Sequence, residues 1–148
     1  MKTPCSILLI LLAFTGCSQT AQQHSISGHS KFGNHDYLGA ITEYSSVIKM
    51  EPNNENAYFN RGIAKDSISD YSGAIDDYCK AIELGFKSSD IYYFRGFAKH
   101  NTNNPSGALE DYSKAIELGY KDSNAYYYRG IAKKDLKDLS KHSVNPVF

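Results

Sequence analysis

The chain has 148 residues, 41% of them hydrophobic, which is room for one domain with a packed core. Sixteen Lys and Arg balance sixteen Asp and Glu, so no global field draws nucleic acid, an anionic membrane or an acidic substrate, and recognition has to be local. Twelve tyrosines, no tryptophan and four prolines suit helices with aromatic packing better than a disordered chain.

In chain order, residues 1–16 read as an export signal: Lys2 and the amino terminus are positive, Ile7 to Phe14 is an unbroken apolar run, and small or polar residues follow from Thr15. The run is too short to span a bilayer, which takes roughly 20 helical residues. The signal closes on Leu12, Ala13, Phe14, Thr15, Gly16, Cys17 and Ser18, and this resembles the cleavage box of bacterial lipoproteins, in which a cysteine directly follows a small residue. Phe14 departs from the leucine usual there. The resemblance implies that Cys17 becomes the first mature residue and carries lipid, with Ser18 compatible with the outer membrane. Several acyl chains on one cysteine hold durably where one holds marginally, at about 0.8 kcal/mol per buried methylene. An ordinary secretory signal, giving a soluble periplasmic or secreted protein, is the alternative. Cys5 lies in the signal, so with Cys17 modified Cys79 is alone and no intramolecular disulfide is expected. Residues 17–30, rich in Ser, Gln and His without apolar period, read as a flexible tether.

From there the chain repeats itself at an offset of 34 residues. Tyr58, Tyr92 and Tyr126 align, as do Arg61, Arg95 and Arg129, and Gly62, Gly96 and Gly130. The same register aligns Ala40, Ala74 and Ala108; Tyr44, Tyr78 and Tyr112; and Val47, Ala81 and Ala115. DYCKAIELGFK at 77–87 and DYSKAIELGYK at 111–121 are nearly the same text. A 34-residue period with an early aromatic, Gly four residues later, then Ala and an aromatic in the second half, is similar to the tetratricopeptide repeat. The resemblance implies an all-α fold, a short right-handed superhelix (α-solenoid) of antiparallel helix pairs. The domain is expected over 31–142, with complete repeats at 55–88 and 89–122, partial ones at about 21–54 and 123–142, and an irregular tail at 143–148.

Local chemistry supports helix pairs independently. Ala74, Ile75, Tyr78, Ala81 and Ile82 recur at three- and four-residue steps on one face, and Asp76, Lys80 and Glu83 lie opposite. Gly85 and Gly119 follow the last periodic leucines and can take the left-handed conformation that closes a helix. Asn104 then Pro105 reads as an N-cap and first-turn proline. Gly62, Gly96 and Gly130 sit inside expected helices at about 1 kcal/mol each relative to alanine, which close backbone contact would offset. The segment at 25–33 is poor in helix formers and reads as a frayed or absent first helix. At the other end the polar Lys133, Lys134, Asp135, Lys137 and Asp138 suit a terminal helix over 124–139.

No catalytic, cofactor or metal constellation emerges. His24, His29, His35, His100 and His142 lack ligand spacing beside a carboxylate, and no Walker loop, Gly-rich fingerprint or basic cluster is present. Cys79 aligns with Ser45 and Ser113, so it reads as a tolerated polar position and not a nucleophile. Asp76 and Asp77 are adjacent and point to different sides of a helix. Arg61, Arg95 and Arg129 are expected along tyrosine rings or against acidic residues of a neighbouring helix, Asp77 and Asp111 being candidates; ligand binding is the other reading.

The resemblance also implies a concave groove lined by first helices. Its matching positions are Asn56, Phe59, Ile63 and Asp66; Asp90, Tyr93, Phe97 and His100; and Asn124, Tyr127, Ile131 and Lys134. Phe59, Tyr93 and Tyr127 would form an aromatic stripe for an extended peptide or helix, or else pack inside the stack. The Lys and Asn clamp that some family members use for C-terminal carboxylates is missing, which disfavours chaperone tails. The expected function is a non-catalytic, lipid-anchored envelope scaffold for a protein or peptide partner. A structural subunit assembling through its stack ends, with weak self-association, is the alternative, and an enzyme a distant one.

Overall fold

A computed structural model describes residues 20–143, so the expected signal, Cys17 and residues 144–148 lie outside the described residues. Seven helices and no strand occur among those described: α1 at 20–33, α2 Tyr37–Met50, α3 Glu55–Ser67, α4 Tyr71–Glu83, α5 Ser89–Asn101, α6 Pro105–Glu117 and α7 Ser123–Ser143. Turns of three residues (34–36, 68–70, 102–104) fold α1 onto α2, α3 onto α4 and α5 onto α6 as antiparallel hairpins. Consecutive helices pack along the chain, and the first helices also touch one another, α3 against α5 and α5 against α7.

The hairpin turns share one device. His35, Ser69 and Asn103, 34 residues apart and each in the middle of its turn, take φ of 62°, 63° and 59°, the left-handed conformation that bends the chain sharply there. The next residue caps the second helix: Asp36 accepts from the Gly39 amide, Asp70 from Gly73 and Asn104 from Gly107, at 2.9, 3.1 and 3.0 Å. Pro105 occupies the first turn of α6. At the far ends of α4 and α6, Gly85 and Gly119 have φ of 98° and 86°. There the Phe86 amide donates to the Ala81 carbonyl and that of Tyr120 to Ala115, each at 2.9 Å, closing both helices with a Schellman bond.

Two elements differ from the sequence reading. Residues 20–30, expected as tether, belong to α1, and the segment at 25–33 is helical. Weak propensity is overridden by tertiary packing: Ala21 is buried against Val47 and Ala57, and Gly28 lies against the Tyr44 ring. Glu43 meanwhile holds both His24 and Lys31 at 2.6 Å. At the other end, α7 continues through the register of the hairpin turn, where Lys137 and Asp138 replace Asn103 and Asn104. Lysine favours the helix and has none of asparagine's tolerance for positive φ.

The core is a column of tyrosines and alanines. Tyr44, Tyr78 and Tyr112 are fully buried, seated among Ala40, Ala74 and Ala108 of their own helices and Ala64, Ala98 and Ala132 of first helices. Small residues let the helices approach closely enough for each phenol ring to fill the space between them.

Candidate functional site

The repeated charges build ties inside the stack. Asp77 accepts from Arg61 Nε (2.8 Å) and Nη2 (2.6 Å) and from Lys65 Nζ (2.8 Å). Asp111 receives Arg95 Nε (2.9 Å), Arg95 Nη2 (2.7 Å) and Lys99 Nζ (2.7 Å) in the same arrangement. These are bidentate, charge-assisted pairs. Each arginine also reaches the preceding second helix, Arg61 Nη1 donating to Ser45 Oγ at 3.1 Å and Arg95 Nη1 to Cys79 Sγ at 3.4 Å. The guanidiniums of Arg61, Arg95 and Arg129 lie 5.6, 5.6 and 5.5 Å from the ring centroids of Tyr58, Tyr92 and Tyr126. Lys65, Lys99 and Lys133 recur at the same period, although the sequence reading took up Lys133 alone, as part of a polar terminal helix.

The glycines do the complementary work. A Cβ on Gly62 would stand 2.6 Å from the Tyr78 ring, and one on Gly96 3.1 Å from Tyr112. Gly130 departs from this pattern: no atom of the described residues lies within 4 Å of its Cβ position. Close contact expected of all three glycines is therefore present at two, because of the helices that carry them α3 and α5 are followed by a second helix among the described residues and α7 is not.

Of the aromatic stripe, Phe59 and Tyr93 are packed and Tyr127 stands open. Phe59 stacks on Phe86 with centroids 4.4 Å apart, and Tyr93 on Tyr120 at 4.6 Å. Tyr127 is 65% exposed, touching Tyr128 edge-on. Phe86 and Tyr120, which cover the first two rings, follow the helix-closing glycines in the duplicated text and were legible there as an aligned aromatic pair.

Other groove positions converge on a cleft between α3 and α5 of about 260 Å³, lined by Ile63, Asp66, Ser67, Tyr93, Phe94 and Phe97. Asp66 Oδ2 accepts the Tyr78 hydroxyl at 2.7 Å, while its Oδ1 is buried with no hydrogen-bond partner among the described residues. Burial pushes this carboxyl up to about 6 against the opposing Tyr78 hydrogen bond, with Asp70 adding to the rise. His100, the register mate of Asp66, faces a second cleft of about 410 Å³ with Asp135 and stands 3.7 Å from that carboxylate. Asn56, Asp90 and Asn124 are exposed at the starts of α3, α5 and α7 and make local hydrogen bonds, Asn56 with Glu55, Asp90 with Ser88 and Asn124 with Asp122. Ile131 is half-buried and Lys134 exposed on α7. No helix of the described residues is long and apolar enough to cross a membrane.

No protein-family model and no curated protein sequence matches the chain. Among solved structures it is similar to the Arabidopsis OM64 TPR domain, at 21% identity and a TM-score of 0.75 over 80% of this chain and 98% of that one. MamA is similar at 27% identity and a TM-score of 0.76, over 80% of this chain and 65% of the MamA chain. A third is the first TPR of Spaghetti (RPAP3), solved bound to an HSP90 peptide, at 24% identity and a TM-score of 0.76 over 81% of this chain and 95% of that one. The chain thus has the fold of tetratricopeptide-repeat domains, an all-α helical-repeat superhelix.

Proposed function

We propose that the chain is a non-catalytic scaffold that holds a peptide or protein segment in the cleft between α3 and α5. The observation that carries this reading is the cleft itself: apolar walls from Ile63, Tyr93, Phe94 and Phe97 around one carboxylate with an unsatisfied oxygen. Such a site favours a segment with an apolar side chain beside a hydrogen-bond donor, because the donor would satisfy Asp66 Oδ1. The similarity to a TPR domain solved with a bound peptide supports the class of ligand. A carboxylate in the cleft and the missing clamp argue against an acidic chaperone tail.

Site-specific photocrosslinking in intact cells tests it. A crosslinker at Ile63 is expected to give one dominant adduct, absent when placed at the exposed Glu117, and lost when Ser67→Trp fills the cleft from its exposed rim. Equal capture from both positions, or an adduct indifferent to Ser67→Trp, sinks the reading.

The scaffold is exported and held at the bacterial envelope through lipid on Cys17, outer-membrane attachment being the reading favoured by Ser18. The Gly16 and Cys17 pair at the end of an apolar signal supports this. Labelled fatty acid should be incorporated by the native chain and not by Cys17→Ala. Unchanged labelling and membrane fractionation in that variant would remove the anchor from the account.

A further inference from the structure

We infer that the outer face of α7 is a second docking site, independent of the α3/α5 cleft, for a helix of another repeat protein carrying adjacent Asp and Tyr. The molecule holds two filled examples of this site. On α3, Arg61 and Lys65 clasp Asp77 while Gly62 admits the Tyr78 ring; on α5, Arg95 and Lys99 clasp Asp111 while Gly96 admits Tyr112. On α7 the same set recurs as Arg129, Lys133 and Gly130, with no carboxylate of the described residues paired to either cation. A cleft of about 510 Å³ opens there between α6 and α7, lined by Leu109, Ser113, Tyr126, Arg129, Gly130 and Lys133.

The site is preset. Arg129 lies over Tyr126 at the distance its register mates keep from Tyr58 and Tyr92, and Ser113 stands where Ser45 and Cys79 receive the filled arginines. Charge complementarity selects the occupant. Two cations with no carboxylate partner among the described residues, beside a ring-sized slot, call for one carboxylate followed by an aromatic, and they disfavour a symmetric pairing of α7 with its own copy, which would oppose like charges. The filled examples add an aromatic nine residues after the Asp, Phe86 over Phe59 and Tyr120 over Tyr93; its place over Tyr127 is open. In this chain's own sequence the next register positions of Asp and Tyr are Asn145 and Pro146, which supply neither the charge nor the ring.

A labelled synthetic peptide of residues 104–120, which contains α6, serves as the probe against the purified chain in fluorescence anisotropy. Saturable binding is expected, weakened by about tenfold or more when the peptide carries Asp111→Asn or the protein carries Gly130→Leu. Ser67→Trp, in the other cleft, should leave it unchanged. Binding that fails to saturate by about 1 mM, or is indifferent to Gly130→Leu, overturns the proposal. So does a self-associated chain in sedimentation that Gly130→Leu makes monomeric, since the occupant is then a second copy.

Discussion

Asp111 is 4% exposed and accepts two nitrogens of Arg95 together with the ammonium of Lys99, so its removal strands two cations in a poorly solvated place. Asp111→Ala is expected to cost about 3 kcal/mol, lowering the melting temperature by more than about 10 °C. Arg129→Ala breaks no ion pair of the described residues and should stay within about 0.5 kcal/mol of the native chain in the same thermal scan. Glycines divide in the same way. Gly62→Ala forces a methyl into the buried Tyr78 ring and should cost about 1–3 kcal/mol, whereas Gly130→Ala meets no atom of the described residues and should gain up to about 1 kcal/mol from helix propensity. Denaturant titration of the two variants reads opposite signs from residues that are identical in the repeat. Sequence period located both glycines and both arginines, but whether each was filled depended on a neighbouring helix that periodicity does not count.

At the scale of the helix, α1 is held by packing and by Glu43 more than by its own propensity. Hydrogen bonds from Lys31 and then His24 bring the Glu43 carboxyl down to about 2, against the desolvation that would raise it. A lowered carboxyl contributes stability that is fully present above its unfolded value of about 4.5 and lost as pH falls through the folded value near 2. Amide exchange of α1 is therefore expected to quicken, relative to α5, as pH drops across that window, and Glu43→Gln should remove the pH dependence. The same helix shows why 20–30 read as tether: Ala21, Gly28 and Lys31 are spaced for one face, yet most intervening residues are poor helix formers, and their burial needs α2 and α3. The hairpin caps at Asp36 and Asp70 also lie in plain register with Asn104, and only the proline drew notice to the third.

Across the whole molecule, stability should fall from the middle outward, because α3 to α6 carry both carboxylate ties and the largest buried cluster. Native-state hydrogen exchange is expected to be slowest in α4 and α5 and fastest at the end of α7; uniform protection would mean the stack unfolds as one unit. The repeat architecture was the most legible feature, since a 34-residue period repeated in residue type and spacing has few physical solutions. Less legible was which groove-position aromatics stand open, since a ring there is covered or open according to the aromatic that follows the closing glycine of the next helix. The carboxylate ties have a kinetic side as well. Arg61 to Asp77 and Arg95 to Asp111 each join residues sixteen apart, so the loops that close to form them are short and the entropic barrier to closure is small. Either hairpin can then nucleate without waiting for the other, and such local contacts favour rapid folding by parallel routes that start in the centre and spread towards both ends.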